Sequence, residues 1–420
     1  MTNNLPEGIH FNLNQNDKFK NIAIAIDFVE PIKENHLEQR TMVAEMLENY
    51  SEKYDSKLKV ARKLAAMYGA TFGANVFKVG NQAVLRIFIS FINDKFLPDD
   101  VKLIEQIADF LKEMIFYPLI INDSFPVKQF ELQRDNLVEY LFNLNDNKKY
   151  YAARETKKLF FENDTDNAKM VFGDLPALAK LKARETADYF QKMISENEIY
   201  ISVDGDVENE DVQPIVDLFR LNDRKHQVVL MNSHEDLRSE KNVEKKAQQK
   251  QSQLDFAFNF PVSIKSEDYF AAIIFNAMFG GSPSSLMFTN IREENSLAYY
   301  ISSSFNSTLG FILVQSGIDG ENDKKVIELV KQQRDKLING DYSDELLNKI
   351  KKTMVNSYLT KYDSQRQMLN TVFINSLLNR EITIDEWIKK IKSISKTDIS
   401  SVAQKAELKT TFLLEGETDE

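Results

Sequence analysis

Along the chain the apolar positions change rhythm, between alternation and a spacing of three to four, and each change predicts an element. "NIAIAIDFV", Asn21 to Val29, alternates and is rich in β-formers, so it predicts a strand. Helical spacing follows from about Leu37 to Asn49, and "SKLKVARKLAAMYGA" predicts a second helix stopped at Gly69. "TFGANVFKV" and "QAVLRIFISFI" alternate as two strands about the turn signal Gly80-Asn81. Two amphipathic helices come next, "DDVKLIEQIADFLKEMIF" and "FELQRDNLVEYLFNL".

The order then recurs. "QLDFAFNF" predicts a strand, "SEDYFAAIIFNAMF" and "PSSLMFTNIREEN" helices, "SLAYYISSSF" and "GFILVQSGI" two strands, and two long helices end the series. "ISFIND" at Ile89 lines up with "LVQSGID" at Leu313, and the helix from Val101 with the one from Val326, an offset of roughly 225 residues. Such a period is far too long for a solenoid. It predicts two homologous α/β domains of the α+β class, each a mostly antiparallel sheet covered by helices. The expected division is residues 1–231 and 253–420, joined by the charged segment 232–252, "NSHEDLRSEKNVEKKAQQKQS", which has the composition of an exposed linker.

Composition narrows the functional classes. The chain has 420 residues, 43% of them apolar, with 29 Phe and 15 Tyr, enough for two sizeable cores. A net charge of −11 argues against nucleic acid or an anionic membrane as the partner. Cysteine is absent, which removes disulfides, thiolate zinc sites and cysteine nucleophiles, and suits a reducing cytoplasm. The N-terminal stretch is polar without a signal-peptide core, and the most apolar runs fall far short of the roughly 20 residues a spanning helix needs. A cytoplasmic protein is therefore expected. Neither a Gly-rich phosphate loop nor a metal-ligand pattern is present among the motifs; His10, His226 and His234 read as surface histidines and Trp387 as a core or interface residue.

The stretch "GGSPSSLMFTNIREENSLAYY", Gly280 to Tyr300, admits two readings. In the plainer one, Gly280-Gly281 ends a helix, Ser282 caps the next with Pro283 at its first position, and Arg292 is a solvated last-turn residue favoured by the helix dipole. Tyr299 is then an ordinary strand aromatic. In the other, Arg292 and Tyr299 are held out as a pair. At the repeat offset the first domain carries Met67 and Ala74, so the shared fold does not require such a pair.

"NIREENSLAYYISSSF" resembles the second-domain motif of the pitrilysin/insulinase/mitochondrial processing peptidase family of zinc peptidases, R-E-x-x-G-L-A-Y. Arg292, Glu293, Leu297, Ala298 and Tyr299 match, and Ser296 stands where the family usually has Gly. The resemblance implies the twin-domain LuxS/processing-peptidase-like metallohydrolase fold, with Arg292 and Tyr299 as substrate-binding residues reaching the peptide backbone and scissile carbonyl. Donors aimed where charge develops on a carbonyl oxygen contribute about 3 kcal/mol each in a water-poor site.

The family's hydrolytic centre is H-x-x-E-H on a first-domain helix, two histidines gripping zinc and a glutamate acting as base. The nearest histidine run, "HLEQR" at His36, has Gln39 at the base position and Arg40 where the second histidine is needed. "MLENYSEKYDS" aligns better with the family's "MLFKGTEKYPS" and sets Thr41, Ala44 and Glu45 on the H, E and H positions, with Tyr140 at the third-ligand position beside Glu139. A catalytic zinc needs three protein ligands, and this set does not supply them. The expectation is a non-catalytic subunit without a metal or other cofactor of its own, zinc being held only by a homologous partner. It would bind peptide or unfolded polypeptide and give Arg292 and Tyr299 in trans. A stand-alone or homodimeric peptide-binding protein is the alternative.

Overall fold

The computed structural model describes residues 5–32, 36–98, 101–162, 165–224, 241–247, 251–380 and 382–416. Packing groups the chain into two compact units built from interleaved segments: Met1–Leu141, Val171–Val229 and Leu359–Glu381 in the first, Phe142–Met170, Leu230–Tyr358 and Ile382–Glu420 in the second.

Each unit holds a five-stranded sheet. In the first, the strands β1 (Ile9–Gln15), β2 (Asn21–Pro31), β3 (Thr71–Val79), β4 (Gln82–Ile92) and β5 (Glu198–Gly205) lie in the order β1-β5-β2-β4-β3. In the second, β6 (Lys241–Ala247), β7 (Ser252–Asn259), β8 (Ala298–Asn306), β9 (Phe311–Ile318) and β10 (Glu407–Gly416) lie in the order β6-β10-β7-β9-β8. Among the described residues only β1–β5 and β6–β10 pair in parallel; the other ladders are antiparallel, as the adjacent hairpin strands predict. The segment Lys241–Ala247 falls inside the charged stretch 232–252 and forms β6 there. The run "QVVLM" and its flanking His226 and His234 lie outside the described residues.

Strand alternation sends successive side chains to opposite faces, and both faces of each sheet are covered. In the first unit Ala23 and Ala25 of β2 pack with Phe88 and Leu369, which belongs to the helix Gln365–Leu377. In the second unit Leu254, Phe256 and Phe258 of β7 join the main core with Trp387 and the helices Tyr269–Phe279 and Asp323–Asn339. The opposite face carries Ala257 against Phe160, and Phe412 against Ala152, both from the helix Lys148–Phe160. Thus in each unit one covering helix comes from far along the sequence.

Polar residues are buried within these faces. Asp27 of β2 and Arg86 of β4, directly opposite in the ladder, form a bidentate pair at 2.6 and 2.8 Å. In the second unit Asp255 of β7 is 0% exposed and lies opposite Gln315 of β9; Gln315 Nε2 approaches its Oδ2 at 3.4 Å, while among the described residues Oδ1 has no hydrogen-bond partner. Burial pushes the Asp255 carboxyl well above its usual range, against the hydrogen bonds of Gln315 and Ser316 and the charge of Lys149. Its folded value lies above the unfolded value of about 4, so the folded state holds an extra proton between the two. Stability is therefore expected to fall as pH rises above about 4 through that window, and Asp255→Asn to remove that loss. Paired thermal melts of wild type and variant from pH 4 to 8 check this; parallel curves would contradict it.

Gly173, at φ +77°, has room for no side chain: a Cβ there would sit 2.2 Å from Glu38 Cδ, whose carboxylate accepts the Asp174 N–H at 2.6 Å. Gly173→Ala is expected to cost about 1–3 kcal/mol, read as a lowered urea midpoint with an unchanged m-value.

Candidate functional site

The positions aligned with the zinc motif lie in the first unit. Thr41 and Ala44 are buried on the helix His36–Asn49, and the Thr41 hydroxyl donates to the Leu37 carbonyl at 2.8 Å within the same helix. Glu45 is half-buried; burial, then the charge of Glu48, pushes its carboxyl up, with Lys57 opposing. Tyr140, on the helix Val127–Leu144, is 54% exposed. A hydroxyl already used inside its helix, a methyl group and one carboxylate do not make a tetrahedral zinc site. Among the described residues no group of three or more His, Asp or Glu is placed to hold a metal.

The two described histidines, His36 and His10, have structural partners. His36 Nδ1 meets Glu30 Oε1 at 3.1 Å, inside a buried network that also contains Arg40, Tyr189 and Asn197. His10 Nε2 meets Glu198 Oε1 at 2.7 Å, and its ring stacks on Tyr200 at 4.3 Å.

Arg292 and Tyr299 belong to the second unit, and the backbone around them is irregular three times over. The helix predicted there opens later than expected. Ser282 donates to the Ala277 carbonyl, and Ser285, fully buried, instead accepts the Phe288 N–H at 3.3 Å. From Phe288 to Glu294 the turn widens to a π-helix, a form concentrated at functional sites. Ser296 then takes the left-handed conformation at φ +54°, the position where the family motif has glycine. Finally the β8–β9 register slips between Ala298 and Tyr300, leaving Tyr299 as the extra residue of a bulge. The β3–β4 ladder of the first unit runs without any shift, so the first unit has no equivalent bulge.

The bulge turns Tyr299 outward, 61% exposed, with its hydroxyl donating to Asp319 Oδ1 at 2.9 Å. That hydrogen bond, and then the Asp319 charge, pushes the phenol up, so it stays protonated and able to donate at neutral pH. Arg292 is exposed on the π-helix, its guanidinium 4.6 Å from the centroid of Phe288 one turn earlier. Among the described residues it makes no ion pair. Two donors, one cationic, are thus held toward solvent and free of a competing carboxylate except at Asp319.

Sequence reasoning does not single out Asp319, and it places Phe288 with Met287 and Ile291 in a buried stripe; Met287 and Ile291 are buried, whereas Phe288 is half-buried beside the Arg292 guanidinium. Asp319 sits just past β9, where no periodicity marks a hydrogen-bond partner for a residue twenty positions earlier. Phe288, four residues before Arg292, is a helical neighbour that spacing alone could have suggested. The strained Ser296 makes a further expectation: Ser296→Gly should be neutral or stabilise by up to roughly 1 kcal/mol, relief of the left-handed strain offsetting the glycine entropy. A thermal melt that drops by more than a few degrees would contradict it.

Residues 180–354 match the family model described as the Peptidase M16 inactive domain. The chain is 25% identical over 410 residues to the probable inactive metalloprotease YmfF of Bacillus subtilis, covering 97% of this chain and 96% of that protein. A crystal structure of a conserved protein from Enterococcus faecalis superposes with a TM-score of 0.93 at 31% identity, covering 99% of this chain and 98% of the other. The peptidase M16 inactive domain from Pseudomonas fluorescens gives 0.80 at 13% identity over 98% and 96%, a likeness of fold.

Proposed function

We propose, from the premise that this chain belongs to the M16 peptidase family as one of its inactive members, that it works as a peptide-binding subunit of a larger peptidase. It binds extended or unfolded polypeptide and presents Arg292 and Tyr299 to the substrate backbone, completing the chamber of a zinc-bearing homologue. The observation that carries this reading is the contrast between the two units. The metal-motif positions hold Thr41, Ala44, Glu45 and Tyr140, while Arg292 and Tyr299 stand exposed on irregular backbone.

A guanidinium offers five fixed donors and a phenol one, which suits the carbonyls of an extended peptide and the oxyanion formed when one of them is attacked. This chain supplies no nucleophile and no base to that step; its part is to orient the peptide and to stabilise charge. In the free protein Tyr299 donates to Asp319, so binding requires the phenol to rotate from that carboxylate to the substrate. The lack of cysteine supports a cytoplasmic setting, and among the described residues no helix is long and apolar enough to cross a membrane.

The experiment is to co-express the chain with an HxxEH-bearing M16 homologue, purify the complex, and follow cleavage of a quenched fluorescent peptide. The expected result is a stable assembly whose turnover exceeds that of the homologue alone. Absence of any assembly, with peptide still bound by this chain, would favour a stand-alone or homodimeric binding protein. One tightly held zinc per isolated chain would overturn both.

A further inference from the structure

On the buried face of the helix Asp323–Asn339 lie Val326, Leu329, Val330, Gln333 and Leu337, and of these Gln333 alone is polar. It is 1% exposed, and a primary amide so placed needs a partner. Its Nε2 donates to Asn290 Oδ1 at 3.1 Å, while among the described residues its Oε1 has no hydrogen-bond partner. A leucine would continue the apolar stripe without burying an unpaired oxygen. The helix thus keeps an amide that its own packing does not ask for. At the repeat offset of roughly 225 residues the first unit has Ala108, buried and apolar.

Asn290 is the hub of the π-helical turn that carries Arg292. Its carbonyl accepts the N–H of Asn295, five residues on, at 3.1 Å and Asn295 Nδ2 at 2.8 Å. Its own Nδ2 donates to Glu294 Oε2 at 3.0 Å. Arg292 therefore lies within a loop of hydrogen bonds that begins and ends on Asn290, and the Gln333 amide ties that residue to the core. π-Helical turns are rare because α-helical bonding is the favoured alternative. In that alternative the Asn295 N–H would reach the Ile291 carbonyl, and Arg292 would leave the helix in a different direction.

We infer that Gln333 is a positioning residue: from the core it holds Asn290, and through Asn290 the π-turn that aims Arg292 at substrate. The first unit, which has neither the arginine nor the amide, needs no such pin. What Arg292 does to substrate rests on the peptidase reading above; the pin on its turn does not.

The test uses Gln333→Leu, Asn290→Ala and the double variant. Leucine suits the stripe, so the melt of Gln333→Leu is expected to stay within a few degrees of wild type. Should that variant unfold, Asn290→Ala, at a half-buried position, carries the same two readouts. In the isolated chain, amide hydrogen exchange at Asn295 reads the π-turn and is expected to speed by about tenfold in each variant. In the complex with a zinc-bearing homologue, kcat for the quenched fluorescent peptide is expected to fall about tenfold with KM nearly unchanged, because a displaced donor is missed chiefly in the transition state. The double variant should lose no more than the larger single loss, since both changes act on one turn. Unchanged Asn295 exchange overturns the pin. Faster exchange with unchanged kcat overturns the positioning role, as do losses that multiply in the double variant. If the wild-type complex cleaves no peptide, the peptidase reading falls, and Asn295 exchange alone decides whether Gln333 holds the turn.

Discussion

Arg40→Ala is expected to destabilise the protein by about 3–5 kcal/mol, a large part of the 5–15 kcal/mol typical of a folded domain. The guanidinium is 1% exposed. It donates to the Phe28 carbonyl at 2.8 Å and to Asn197 Oδ1, and lies 3.1 Å from Glu30 Oε1. Glu30 also accepts from the Tyr189 hydroxyl at 2.6 Å and from Asn197 Nδ2 at 3.3 Å, and meets His36. Removing Arg40 leaves a carbonyl without its donor and a buried carboxylate without its permanent cation. Burial alone would push the Glu30 carboxyl up. The His36 hydrogen bond, the Arg40 charge and the Tyr189 hydroxyl outweigh burial and hold it well below the usual carboxylate range.

The sign follows from that depression. The network's contribution is fully present above the unfolded carboxylate value of about 4.3 and is lost as pH falls below it. The gap between wild type and Arg40→Ala in urea denaturation should therefore be widest near neutrality and narrow in acid. A second variant, Glu30→Gln with Arg40→Met, removes both charges together and should cost less than the sum of the single changes. A loss under 1 kcal/mol for Arg40→Ala at pH 7 would show that the network does not hold the fold.

The second large effect concerns turnover rather than stability. In a complex with a zinc-bearing homologue, Arg292→Ala and Tyr299→Phe are each expected to lower kcat/KM for peptide cleavage by roughly 10²-fold or more, the cost of removing one preorganised donor from a developing oxyanion. Both side chains are exposed, so the fold should lose no more than about 0.5 kcal/mol. That separation is what makes the pair informative: an unaltered melt with collapsed turnover marks a contribution to the reaction, while an unaltered melt with unaltered turnover removes the trans role. If affinity for peptide falls in the isolated chain but turnover in the complex does not, the two residues clamp substrate without touching the reacting carbonyl.

Much of the fold is legible in the chain because local rhythm carries it. The hairpin β3–β4 announces itself by alternation about Gly80, whose φ of +58° only glycine adopts freely. The antiparallel neighbours β2, β7, β8 and β9 and the helices beside them are read the same way, but the helices Lys148–Phe160, Ala183–Glu196 and Gln365–Leu377 are not. The motif around Arg292 is equally legible, since a family resemblance needs only residue order. The strands β1, β5, β6 and β10 are not predicted. Buried at every residue, β5 shows no face to solvent, and "KNVEKKA" becomes β6 only because β10, more than 150 residues later, lies parallel beside it.

Tertiary structure alone decided the rest. An apolar stripe says that a helix face is buried but not against what, so nothing in the helices Lys148–Phe160 and Gln365–Leu377 states which sheet each will cover. Nor could the order of residues show that Asp27 finds Arg86 while Asp255 faces Gln315, since a carboxylate's cross-strand neighbour is set by ladder register. The exposure of Tyr299 follows from a one-residue slip between strands, and the Ala74 amide of β3 finds its acceptor in Glu48 of a neighbouring helix. The sequence by itself determined the hairpin strands, the helices beside them and the repeat, because these are local or compositional. Which groups meet is fixed only when distant segments pack and hydrogen bonds must be satisfied away from water.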